Sequence, residues 1–153
     1  MQKIAYSYIR FSTKKQQYGV SYERQSEQAV AYCNAHNLKL DDKVYYDKGV
    51  SALKGKNKDI GMLSEFLHKV EDREIKTGSY LLIESLDRLS RDFLIHAQVL
   101  LNQIIIAGIT VVTMIDKTVY NLDLVKDNQW LLVQAATVLI RANEESTTKR
   151  ARA

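Results

Sequence analysis

The stretch Lys3-Ile4-Ala5-Tyr6-Ser7-Tyr8-Ile9-Arg10-Phe11-Ser12 decides how the chain is read. Through Phe11 it is rich in β-branched and aromatic residues, which predicts a first strand over 3–11. The next residues, Thr13-Lys14-Lys15-Gln16-Gln17, are polar and cationic and cannot continue a buried strand. The strand therefore carries an arginine and a hydroxyl to its C-terminal edge. Positions i and i+2 of a strand share a face, so Arg10 and Ser12 can look into one pocket if Ser12 keeps strand geometry. A serine at such a place is ordinary by itself, because turns favour serine. Its meaning depends on what the rest of the chain brings to the same edge.

Working outward, Val44-Tyr45-Tyr46-Asp47 predicts a short second strand, and the unbroken apolar run Tyr80-Leu81-Leu82-Ile83 a strand buried on both faces. Ile109 to Ile115 is the clearest strand signal, with a weaker one at Thr118-Val119-Tyr120. Between them lie helical patterns. One runs from Tyr22 to about His36 with Ser21 as its N-cap. A second, from about Asp59 to Glu74, spaces Ile60, Leu63, Phe66, Leu67 and Val70 by three and four. A third runs from Asp92 to Ala107, closed by Gly108 where a left-handed residue is tolerated. Strands alternating with helices give an α/β fold, a mostly parallel central sheet flanked by helices. A last helix from about Asp127 is apolar nearly all round between Trp130 and Ile140, more than a solvated helix needs, so it is expected to be covered by another subunit or by the sheet domain and to lead into a further domain. The expected organisation is a core over 1–126 and the start of a long helix over 127–153.

The bulk properties narrow the class. With 153 residues, 46% hydrophobic and 26% charged, the chain has room for one domain with a real core. The apolar stretch Trp130–Ile140, broken by Gln134 and Thr137, is too short to span a bilayer. Met1-Gln2-Lys3 leads directly into the first strand with no secretory signal, and a cytoplasmic location is expected. A single cysteine, Cys33, rules out a disulfide or a cysteine-based metal site within one chain. A net charge of +4, with a basic end Lys149-Arg150-Ala151-Arg152, permits a polyanionic partner.

A second constellation follows the buried strand: Glu84-Ser85-Leu86-Asp87-Arg88-Leu89-Ser90-Arg91-Asp92. Ligands of open α/β sheets bind beyond the carboxyl ends of the strands. Three strand ends thus bring Arg10 with Ser12, then Asp47, then Asp87 with Arg88 and Arg91, to one edge. Guanidiniums stay charged and grip phosphate oxygens in pairs, so three of them around a hydroxyl suit a phosphodiester.

Arg10-Phe11-Ser12 and Leu86-Asp87-Arg88-Leu89-Ser90-Arg91-Asp92 resemble the catalytic domain of the serine recombinases, the resolvase/invertase family. Asp47-Lys48-Gly49-Val50-Ser51-Ala52 is similar to the family's second-strand motif, and Gly19-Val20-Ser21-Tyr22-Glu23-Arg24-Gln25 to the opening of its first helix. The resemblance implies that Ser12 is a nucleophile forming a 5′-phosphoseryl link to DNA, followed by strand exchange and religation. By it Arg10, Arg88 and Arg91 bind the phosphate, Asp47 and Asp87 orient them or move protons, and Gln25 and Ser51 line the pocket. Where the family usually has another arginine, this chain offers Lys54, Lys56 and Lys58, with Lys56 as a DNA-side candidate. Glu144 or Glu145 falls where an acidic residue is expected near the assembled site, and Lys149 and Arg150 face DNA. The resemblance further implies a homodimer that becomes a tetramer on DNA, an accessory or directionality protein as a further partner, no cofactor, no metal and no membrane. It implies a bacterial, phage or mobile-element origin and a C-terminal DNA-binding domain beyond this stretch. The histidines His36, His68 and His96 are expected in helices away from the motif.

Two other readings use the same residues. Asp47, Glu84 and Asp87 are carboxylates at strand ends, where a nuclease could hold a divalent ion. A non-catalytic α/β module that dimerises through its last helix would account for that helix and leave the arginines without a purpose.

Overall fold

The computed structural model describes residues 2–10, 20–47, 62–90 and 94–152. Among the described residues, five strands form one sheet in the order β2-β1-β3-β4-β5. They are β1 (Lys3–Arg10), β2 (Leu38–Asp47), β3 (Tyr80–Ile83), β4 (Thr110–Thr113) and β5 (Thr118–Tyr120). The first four are parallel, and β5 returns antiparallel on β4. Helices α1 (Val20–Ala35), α2 (Met62–Glu71) and α3 (Leu94–Ile106) connect the parallel strands, and α4 (Leu122–Asp127) and α5 (Trp130–Arg152) complete the chain. This is the expected α/β architecture with a mostly parallel sheet.

Strand alternation sorts the core into two layers. Tyr6, Tyr8, Tyr45, Leu81, Ile83 and Val111 point to one face, where Phe66 of α2, Leu101 and Ile104 of α3, and Ala135 and Leu139 of α5 cover them. Ala5, Leu82 and Val112 point to the other, beneath Ala29, Tyr32 and Cys33 of α1. Tyr6, Tyr45 and Phe66 meet edge to face, with ring centroids 5.4 to 6.2 Å apart, the arrangement that aromatic quadrupoles favour. Gly108 ends α3 at φ +93°, and a Cβ there would press on Thr77 at 3.1 Å, so both conformation and space require glycine.

Three elements differ from the sequence reading. β2 starts at Leu38, well before Val44, although Lys39, Asp41, Asp42 and Lys43 are charged. It is an edge strand, where charge is tolerated and discourages pairing with other chains. α1 begins at Val20, so Ser21 lies inside the helix and is not its cap. The final helical region is two helices: Asn121 caps α4 by accepting from Leu124 N at 2.8 Å, and α5 begins at Trp130. α5 is covered in part by the sheet domain, one of the two expected covers. Leu131 and Leu132 pack on the core and Ala135 and Leu139 are fully buried, while Trp130, Val133 and Ile140 remain exposed.

Candidate active site

The sheet order explains where a site forms. From β1 the chain winds through α1 to β2 on one side, then crosses back through α2 to β3 on the other. The carboxyl ends of β1 and β3 are therefore the point where the winding reverses, the place at which open α/β sheets bind ligands. Arg10 ends β1, and the segment from Glu84 follows β3 directly.

Arg10 lies opposite Asp47 in the parallel register of β1 and β2, which brings the ends of those strands level. Alternation puts Arg10 on the face of Tyr6 and Tyr8, and it is 9% exposed. Its Nη2 donates to the backbone carbonyl of Asp87 at 3.0 Å, joining the ends of β1 and β3. The motif itself forms a 3₁₀ turn over Leu86–Leu89, whose apolar ends Leu86 and Leu89 sink into the core. Burying these two anchors leaves Asp87 and Arg88 between them, half-buried at the rim. Ser85 Oγ donates to Asp87 Oδ1 at 2.5 Å, which fixes that carboxylate.

Glu84 is the anionic centre of the rim. Arg24 Nη2 of α1 lies 2.7 Å from its Oε1, and Arg88 Nη2 lies 3.4 Å from its Oε2. Gln25, next to Arg24 on α1, is buried. So α1 reaches the same edge from the opposite face of the sheet. Among the described residues no group of three or more His, Cys, Asp or Glu side chains gathers as a metal would require.

Of the residues expected at the site, the structure brings Arg10 to the turn that carries Asp87 and Arg88, with Asp47 at the neighbouring strand end and Gln25 on α1. Ser12, Ser51, Lys56 and Arg91 lie outside the described residues. Glu144 is exposed on α5, and Glu145, Lys149 and Arg150 continue that helix. One expectation is corrected. His96 is not remote from the motif: its Nδ1 is 3.0 Å from Ser90 Oγ, because α3 turns back over the end of the 3₁₀ turn. His36 instead stacks on Tyr32, and His68 lies by Glu71. Arg24 was the other residue missed. Named within the motif Gly19 to Gln25, it gave no signal of a partner 60 residues away.

Residues 5–153 match the family model described as the resolvase N-terminal domain. The chain belongs to the resolvase family. Among curated proteins, this resolvase-family domain is 41% identical over 151 residues to the uncharacterized protein YbcK of Escherichia coli (strain K12). The match covers 98% of this chain and 30% of YbcK, so the domain spans less than a third of that relative. Its fold is that of a resolvase family site-specific recombinase from Streptococcus pneumoniae, with TM-score 0.65 and 17% identity over 99% of this chain and 94% of that one. It is also that of the N-terminal catalytic domain of TP901-1 integrase, with TM-score 0.62 and 20% identity over 97% and 99%. No helix among the described residues of the resolvase-family domain is long and apolar enough to cross a membrane.

Proposed function

We propose that this chain is the catalytic domain of a DNA site-specific recombinase, with Ser12 as nucleophile. The observation that carries the reading is the Arg10–Asp87 hydrogen bond, which ties the strand end two residues before Ser12 to the turn bearing Arg88. Family membership and the names of the two structural neighbours support it.

In this reading Ser12 Oγ attacks a DNA phosphorus. The bond from phosphorus to the 3′ oxygen breaks, that oxygen leaves as a hydroxyl with a proton, and the 5′ phosphate stays on serine. Attack by a 3′-hydroxyl of the exchanged partner reverses the step and frees Ser12. One ester replaces another, so no nucleotide cofactor is consumed. Negative charge grows on the phosphate oxygens in the transition state, and fixed guanidiniums from Arg10, Arg88 and Arg91 offset it. In this reading Asp87 and Asp47 orient those guanidiniums or take part in proton transfer, and Gln25 and Ser51 line the pocket. Lys56, Glu144, Glu145, Lys149 and Arg150 serve DNA or the assembled site, in a dimer that pairs into a tetramer.

Two guanidiniums already claim Glu84, one of the carboxylates that a metal-dependent nuclease would need. The deciding experiment uses the full-length protein on its own recombination site. A denaturant-resistant adduct at the DNA 5′ end, formed in EDTA and lost in Ser12→Ala, is the expected result. Cleavage that survives Ser12→Ala and disappears with the chelator would replace this reading with the nuclease. Failure of the wild type to cut or join DNA would leave the interaction module.

A further inference from the structure

Glu84 has a fixed base and a shared head group. Its carbonyl accepts from Ile115 N at 3.0 Å, continuing the β3–β4 pairing one step past the strands, so its backbone is locked to the sheet. Its side chain is 10% exposed and lies between two cations. Arg24 takes Oε1 at 2.7 Å, a short charge-assisted hydrogen bond. Arg88 stands 3.4 Å from Oε2, and that oxygen has no hydrogen-bond partner among the described residues, so the contact is an ion pair without a bond. Arg88 Nε is likewise buried without a partner among them.

An unopposed carboxylate beside a guanidinium closes on it through two parallel bonds, which would occupy the donors a phosphate needs. Here Arg24 pulls the carboxylate to the other side. We infer that Glu84 is a positioning residue for Arg88, and that Arg24 keeps Glu84 from closing on it. Arg88 is thereby aimed by charge while its Nε is left uncommitted to any carboxylate among the described residues. The inference rests on the proposed role of Arg88 in phosphate binding.

Arg24 makes the test clean. Its side chain is 47% exposed on a helix surface, so truncation does not threaten the fold. The rate of the Ser12-dependent adduct is measured in the full-length protein at saturating DNA. Arg24→Ala is expected to slow it about tenfold with DNA affinity unchanged, and Arg24→Lys to recover most of the rate, as expected for a charge contact. Glu84→Gln is expected to slow it by about tenfold or more, and adding Arg24→Ala to Glu84→Gln should cost nothing further, because the two act through one contact. Full speed in Arg24→Ala, or effects that simply multiply, would overturn the inference. A second measurement does not need activity: the ¹⁵N signal of Arg88 Nε–H in DNA-free protein, assigned by its loss in Arg88→Lys. It should resist solvent exchange in the wild type and lose that protection in Glu84→Gln; unchanged protection would overturn the positioning role. If the wild type forms no adduct, the recombinase reading falls, and the Nε–H signal still decides whether Glu84 positions Arg88.

Discussion

Arg10 Nη2 donates to the main-chain oxygen of Asp87 across 77 residues of sequence. A charged donor serving a backbone carbonyl, on a side chain this buried, contributes to stability as well as to the site. Arg10→Lys keeps the charge and loses the planar fork. It should lower unfolding free energy by about 1–3 kcal/mol in urea titration. It should also reduce the Ser12-dependent adduct to a trace. A variant with wild-type stability and wild-type adduct would show that the contact matters to neither.

Assembly is tested on α5. Trp130, Val133 and Ile140 are exposed by 74%, 51% and 44% and recur at helical spacing on one side, while Leu139 faces the core. Val133→Glu with Ile140→Glu should lower the apparent mass in sedimentation and leave the melting temperature within a few degrees. A dimer that persists unchanged would remove this stripe from the interface.

Tyr120 gives a pH prediction. It is 1% exposed, and its hydroxyl has no hydrogen-bond partner among the described residues. Burial, helped by the nearby Asp116 charge, pushes its pKa up to about 12 from 10.0. A raised folded-state value stabilises the fold below the unfolded value; that stability is lost as pH climbs from about 10 through about 12. Tyr120→Phe should flatten this alkaline loss and hold or raise neutral-pH stability by up to about 1 kcal/mol, since an unsatisfied buried hydroxyl is removed. Tyr6, Tyr32 and Tyr45 are raised in the same direction, chiefly by burial, so part of the slope will remain. A clear loss of neutral stability in Tyr120→Phe would mean the hydroxyl has a partner after all.

Phe66 is completely buried between Tyr6 and Tyr45. Phe66→Ala should cost about 3–5 kcal/mol, by lost transfer energy and a residual cavity. Phe66→Leu should cost clearly less in the same denaturant titration. Equal costs would show that the layer collapses around the change.

The strands legible in the sequence were those whose apolar side chains do the work. Tyr80–Ile83 is buried from both faces, and its composition says so. The first half of β2 was hidden because backbone pairing with β1, which leaves no mark on composition, holds its charged residues in place. α4 was overlooked although Asn121 is an ordinary capping residue, because the apolar run behind it drew the helix boundary forward. The site was half legible. Arg10, Asp87 and Arg88 could be placed by strand ends alone, since an α/β sheet collects its strand ends at one edge. Arg24 and His96 could not, because their contacts depend on how a helix turns back over that edge.

The position of β1 between β2 and β3 has a consequence for the nascent chain. Synthesis delivers β1, α1 and β2 first, and they can pair locally while β3 is still to come. Arg10 meets no carbonyl of Asp87, and Arg24 no carboxylate of Glu84, until β3 has docked on the free side of β1. That docking closes a long loop, the slow kind of step in folding a parallel sheet. A partly made or partly folded chain therefore carries the arginines without their arrangement. On the function proposed above, the ability to cut DNA would arrive only when the fold is finished.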